Sequence, residues 1–204
     1  MLSLDHIVVV APSVTEGVSY VRDLTGIDMP KGGEHPVMGT HNHLIRLGKD
    51  EFLEVIAVNP DSPPPSRPRW FGLDQPVKSP RLAHWVLRTD DISGIRPRLP
   101  DVLGPAIPLT RGDLAWHLTV PEDGSLPYDG AAPSLLKWAN DPLPPTQMKG
   151  AGAALTTLTI THPMADELQR SYAPHLSDPR INWQTGPFKI TAGLTIGRET
   201  RSLY

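Results

Sequence analysis

Glu54, His6 and His84 are the side chains of this chain that could carry chemistry by type and place. Glu54 lies inside Phe52-Leu53-Glu54-Val55-Ile56, with apolar neighbours on both sides. A carboxylate there is costly to bury unless a cation, a metal or several donors meet it. On a strand with one wet face it would instead point to water. His6 and His84 hold matching places in two similar stretches, Leu4-Asp5-His6-Ile7 and Leu82-Ala83-His84-Trp85. One strand histidine is usually just a hydrogen-bonded residue. Two at equivalent positions of a repeat call for a shared role. If the halves pair about a pseudo-twofold axis, both imidazoles point into one cavity. With Glu54 they form a two-histidine, one-carboxylate set. That set suits Fe, Mn, Zn or Ni as divalent ions and leaves positions open for substrate.

Three more histidines are candidate catalytic groups. His41 and His43 are two apart, so on a strand they share a face with Ile45. His117 reads as the second-half counterpart of His43. These three could move protons, orient ligands or serve as alternative ligands. The plain alternative for each is a polar residue facing a wet groove.

The elements that must position these groups repeat along the chain. Residues 4–11 read as a buried strand. Ser13-Val14-Thr15-Glu16 is a capping-box pattern, and Val14, Val18, Val21 and Leu24 follow at helical spacing up to Gly26. Residues 37–47 and 51–58 read as strands around the turn Gly48-Lys49-Asp50. The proline-rich stretch 60–69 predicts a stiff extended linker. The order then restarts. Residues 81–89 form a strand, Asp90-Asp91 caps a short helix limited by Pro97 and Pro100, and 114–120 and 134–139 are strands. A third, partial unit has a strand at 154–161, a helix at 164–174 and strands at 181–184 and 188–196. Thr157 stands there where the other units have histidine, so this unit reads as structural or dimer-forming. The fold class is therefore α+β: duplicated βαβββ modules at 1–75 and 76–147, forming a shared open barrel, and a C-terminal βαββ piece at 148–204.

Composition narrows the function. Net charge is −3, with no basic stripe, which argues against nucleic acid as a partner. Cysteine is absent, which removes thiolate chemistry and disulfides and is compatible with a reducing, cytoplasmic setting. The first residues read as a strand, not a leader, and apolar runs fall far short of the ~20 residues of a membrane helix. No Gly-rich phosphate loop and no Gly-x-Ser-x-Gly elbow occurs.

At this point the chain resembles the glyoxalase-like domain family of the vicinal-oxygen-chelate superfamily. The matching stretches are Leu4–Val10, GGEHPVMGTHNHLIRLG, FLEVIAVNPD, RPRWFGLD and PRLAHWVLRTDDI, with looser matches in LAWHLTVP and SLLKWAND. The resemblance implies two modules curling into one partial barrel, with any metal in the shared cavity. Carried over, its ligand positions are His6, Glu54, His84 and a residue of SLLKWA. Lys137 stands where the family commonly has an acidic or amide side chain, and a protonated lysine cannot ligate. Two functions follow as expectations. One is a metal-dependent lyase, isomerase or dioxygenase-type enzyme acting on a small oxygenated substrate. The other is a metal-free small-ligand binding or resistance protein with a Glu54–Lys137 ion pair in place of the metal.

Overall fold

The computed structural model describes residues 1–139 and 141–204. Asn140, within the SLLKWAND stretch, lies outside the described residues. The first unit runs β1 (Ser3–Val10), α1 (Val14–Thr25), β2 (Lys31–His35), β3 (Thr40–Leu47) and β4 (Glu51–Val58). Ser13 caps α1 by accepting from the Glu16 amide, and Gly26 ends it at φ 75°. A residue with a Cβ would be strained at that φ. The second unit runs β5 (Arg81–Arg88), α2 (Ile92–Ile95), β6 (Ala106–Arg111), β7 (Leu114–Thr119) and β8 (Ser134–Trp138). Asp91 caps α2 through the Gly94 amide.

These eight strands form one nearly closed sheet in the order β2-β3-β4-β1-β5-β8-β7-β6. β1 and β5 lie side by side and antiparallel at its centre, so His6 and His84 stand on neighbouring strands as the repeat predicts. Each opening strand pairs in parallel with the last strand of its own unit. Val8 faces Glu54 in one, and Val86 faces Ser134 in the other. By this register the counterpart of Glu54 is Ser134. The counterpart of His117, opposite Lys137, is His41, opposite Ala57, and not His43.

β2 and β6 are absent from the sequence-based assignment. They are the two edges of the sheet. Edge strands tolerate the Gly32-Gly33 pair and Pro108 that mask their signal. The two edges approach each other and almost close the barrel.

Inside the barrel, Val8, Val10, Ile56, Val86, Leu118 and Leu136 form a core with Trp70 and Phe71. The last two arrive from the linker, whose end folds into a short turn at Trp70–Gly72 and plugs the barrel. A second core lies between the convex face, α1 and the C-terminal unit. That unit is β9 (Ala153–Thr161), α3 (Ala165–Tyr172), β10 (Ile181–Gln184), β11 (Lys189–Ile196) and β12 (Glu199–Leu203), with sheet order β10-β9-β11-β12. It is a full βαβββ run; β12, Glu-Thr-Arg-Ser-Leu, is too polar to announce itself as a strand. Arg180 ties the unit to β4 with a two-pronged contact to Glu51, at 2.5 and 2.8 Å. Among the described residues, no helix is long and apolar enough to cross a membrane.

Candidate functional site

Successive residues of a regular strand point to opposite faces. Asp5 and His6 break that rule, and the reason is a bulge in β1. Leu4 pairs with Leu87 and His6 with Val86, so Asp5 has no partner of its own. The bulge lets the two adjacent side chains meet. Asp5 Oδ1 lies 2.7 Å from His6 Nδ1. The other Asp5 oxygen accepts from Trp138 Nε1 at 2.9 Å and faces Arg88 at 3.9 Å. Asp5 is fully buried, so its carboxyl group meets these partners and not water. When Nδ1 carries the ring proton and donates to Asp5, Nε2 is left as an acceptor. That nitrogen faces Glu54 Oε2 at 3.6 Å. The His6 ring stacks on Phe52 with centroids 4.3 Å apart, which fixes its plane.

Glu54 is 6% exposed and points inward, as its apolar strand requires. Its charge is met from β3 and β6. Asn42 Nδ2 donates to Glu54 Oε1 at 2.6 Å. Asn42 Oδ1 accepts from the Gly33 amide at 2.9 Å and from Arg111 Nη1 at 3.3 Å. These contacts set the amide so that its NH2 group faces the carboxylate. Burial holds the Arg111 guanidinium below its usual range, and Glu54 acts against that shift. The glycines of β2 make the approach possible. A Cβ on Gly32 would sit 2.2 Å from Asn42 Oδ1, and one on Gly33 2.6 Å from Arg111 Cδ. His35 closes the chain of contacts, its Nδ1 3.1 Å from Thr40 Oγ1 and its Nε2 3.4 Å from Asn42 Nδ2. Burial, then Arg111 and His41, push its pKa down to about 3, so His35 is a neutral wall residue.

These groups line an inner cavity of about 40 Å³, walled by Trp70, Phe71, Trp116 and Trp138. A wider groove of about 520 Å³ lies outside it, lined by Lys31, Leu114, Pro142, Pro144 and Lys149 among others. Leu44, Arg111 and Met148 line both spaces.

The structure brings His6 and Glu54 together and sends the other predicted residues elsewhere. His84 faces inward but is fully buried with both nitrogens engaged. The Ser134 amide donates to its Nε2 at 3.2 Å, with Ser134 Oγ 3.0 Å away. Nδ1–H then donates to the Gly130 carbonyl at 3.1 Å. Burial pushes the His84 pKa down to about 3, with the Gly130 contact opposing and His6 assisting. His41 and His43 do share a face with Ile45, but it is the outer one. Asn42 and Leu44, between and beside them, line the cavity. His43 Nδ1 lies 2.9 Å from the Met29 carbonyl. His117 is exposed between the inward-facing Trp116 and Leu118. Lys137 is likewise exposed, with Leu136 and Trp138 on the cavity side. The cation linked to Glu54, by way of Asn42, is Arg111 and not Lys137.

Comparison with known proteins now decides the family. The model of the glyoxalase-like domain matches residues 4–176. The chain belongs to this family. Glyoxalase-like chains fall within the vicinal-oxygen-chelate superfamily. Among solved structures, a hypothetical protein from Staphylococcus aureus shares the fold: it aligns over 97% of this chain and 82% of its own, with TM-score 0.59 and 13% identity. A Streptomyces coelicolor methylmalonyl-CoA epimerase variant in complex with 2-nitronate-propionyl-CoA aligns over 67% of this chain and 97% of its own, with TM-score 0.44 and 15% identity. The Mycobacterium tuberculosis methylmalonyl-CoA epimerase aligns over 66% and 85%, with TM-score 0.42 and 15% identity. No curated protein matches the chain.

The glyoxalase-like resemblance implies a divalent metal, which the donor set must be able to hold. His6 Nε2 and Glu54 Oε2 face each other and could share an ion. A third protein ligand does not follow. His84 has both nitrogens committed, Ser134 occupies the register place of Glu54 in the second unit, and Asn42 turns its oxygen toward Gly33 and Arg111. Among the described residues, no three histidine, cysteine, aspartate or glutamate side chains are grouped to hold a metal. The expected set of His6, Glu54 and His84 is not assembled by this geometry.

Proposed function

We propose that this glyoxalase-like protein is an acid–base enzyme of the isomerase or lyase type, acting on a small oxygenated substrate inside the eight-stranded barrel. The observation that carries the reading is the buried line Asp5–His6–Glu54, which ends at a cavity faced by Arg111. Glu54 or His6 Nε2 takes a proton from a carbon next to a carbonyl. The C–H electron pair moves into the carbonyl, and the enolate oxygen lies against the Arg111 guanidinium. The same pair of residues returns the proton to carbon. Asp5 holds His6 in the tautomer this needs. Trp116, Trp138 and Phe71 keep water from the enolate.

The test is proton NMR in deuterated buffer with a panel of 2-oxo, 2-hydroxy and 3-oxo acids. The reading expects enzyme-dependent uptake of deuterium at carbon for at least one of them. His6→Gln and Glu54→Gln should each slow that uptake by about 10²–10⁴-fold, the usual weight of a general base. No uptake with any member, or uptake indifferent to both substitutions, contradicts the reading.

A metal-dependent form of the same enzyme rests on the 3.6 Å approach of His6 Nε2 and Glu54 Oε2. Titration calorimetry with Ni, Zn, Mn and Fe(II) ions tests it. Binding that His6→Gln and Glu54→Gln both abolish supports it, and no binding argues against it. The absence of cysteine supports a reducing, cytoplasmic location, and the partner we infer is a small molecule, not nucleic acid. Light scattering of the purified protein tests whether it forms a homodimer.

A further inference from the structure

We infer that the substrate of this site is an amphipathic carboxylate that enters head first: an oxygenated, negatively charged head in the inner cavity and an apolar body in the outer groove. The inference rests on the acid–base reading for what happens to the head, and on three separate observations for the substrate class.

The first is size. A buried water needs about 10–15 Å³ of such space, so the inner cavity of about 40 Å³ holds three waters or a group of similar bulk. A carboxylate with its neighbouring carbon fills it, and a ring or a branched body does not. The outer groove, at about 520 Å³, lies in the usual range of ligand pockets. Leu44, Arg111 and Met148 border both spaces, so one molecule can occupy both.

The second is charge. Arg111 is drawn out of water at the junction of the two spaces, with one Nη donating to Asn42. The rest of its planar fork remains to meet a two-oxygen anion. Lys31 and Lys149 flank the groove outside it. The acidic groups that face the same path are Glu54 inside and Asp141 at the groove. Asn42 already donates to Glu54, so its charge is partly answered without Arg111.

The third is an unused donor. Trp70 is 3% exposed and lines the inner cavity, yet its Nε1–H has no hydrogen-bond partner among the described residues. A buried donor of this kind ordinarily has a partner. A substrate oxygen in the inner cavity supplies one. The groove outside offers Leu44, Leu114, Pro142, Pro144 and Met148, side chains suited to a hydrocarbon body.

The experiment uses the full chain and reads the quenching of its intrinsic tryptophan fluorescence, since Trp70, Trp116 and Trp138 line the cavity. The probes are hexanoate, acetate, 1-hexanol and hexylamine. Hexanoate should bind at least about tenfold more tightly than any of the other three, because only it matches both spaces. Arg111→Met should weaken hexanoate about tenfold or more and leave 1-hexanol unchanged. Trp70→Phe keeps a ring in the wall and removes the donor, so it should weaken hexanoate several-fold. Leu114→Asp, in the outer groove, should weaken hexanoate and leave acetate unchanged. Lys137→Met, on the outer face, should leave hexanoate binding within about twofold. Equal binding of hexanoate and 1-hexanol, or an Arg111→Met protein that binds hexanoate as before, overturns the inference. Circular dichroism of each variant shows whether it is folded. The two proposals fail separately: tight, Arg111-dependent hexanoate binding without deuterium uptake defeats the acid–base reading alone. Uptake by short 2-oxo acids without hexanoate selectivity defeats the substrate class alone.

Discussion

His84 and His35 make the stability of this protein sensitive to mild acid in a way that can be worked out. Both are buried, and burial lowers both pKa values to about 3. In the unfolded chain each returns to ~6.5. Between these values the unfolded chain binds a proton that the native protein refuses. Stability therefore falls as pH drops below about 6.5 and continues to fall toward 3. For one such residue, lowering the pH from 7.5 to 5.0 removes RT ln(1 + 10^1.5), or about 2 kcal/mol, of stability; two residues remove about 4 kcal/mol. The perturbation is His84→Gln, which takes one titrating group away while leaving an amide in its place. That variant should be less stable at pH 7.5 by about 1–3 kcal/mol, because the Gly130 carbonyl and Ser134 lose part of their hydrogen bonding. Its loss between pH 7.5 and 5.0 should be about 2 kcal/mol smaller than that of the unaltered protein. Urea unfolding at the two pH values measures the difference, and other titrating groups cancel in the comparison. Equal pH losses in the two proteins would refute the assignment of His84 as a neutral, structurally committed residue.

Other outcomes follow from the same geometry. Gly32→Ala forces a Cβ to 2.2 Å from Asn42 Oδ1, so it should displace the amide and cut hexanoate binding more than it cuts stability, read by fluorescence and urea midpoints. Lys137→Met should change stability by no more than about 0.5 kcal/mol, since Lys137 is exposed on the outer face. Arg180→Met breaks a partly buried two-pronged contact with Glu51, and urea unfolding should show a loss of about 1–3 kcal/mol, below the ~3–5 of a fully buried pair. Asp5→Asn should slow deuterium uptake at least about tenfold while leaving hexanoate binding intact, because it alters the His6 tautomer and not the anion pocket.

The central strands were legible because they carry unbroken apolar runs with a repeated histidine. That repeat placed His6 and His84 on adjacent strands, and the apolar setting of Glu54 marked it as an inward carboxylate. What escaped the sequence has particular physical causes. Asp5 and His6 are neighbours, and only a bulge lets neighbouring strand residues share a site; nothing in Leu-Asp-His-Ile encodes one. The edge strands β2 and β6 read as loops because of Gly32-Gly33 and Pro108, yet they deliver the glycine surface and Arg111. His41, His43 and His117 each miss the cavity by a single residue, since strand parity puts Asn42, Leu44, Trp116 and Leu118 inside instead. Asn42 stands inside the GGEHPVMGTHNHLIRLG stretch, but a neutral amide gives no chemical signal until its partners are known. The family signature conveys the barrel and the position of Glu54, and it overstates His84, whose nitrogens are taken by Ser134 and Gly130.

The most direct measurement of the central claim is the tautomer of His6, read by nitrogen-15 NMR of histidine-labelled protein with His6→Gln used for assignment. The Asp5–His6–Glu54 line predicts a proton on Nδ1, shared with Asp5, and an unprotonated Nε2 whose resonance moves when hexanoate fills the cavity. A proton on Nε2 with Nδ1 bare, or an Nε2 signal indifferent to hexanoate, would contradict it.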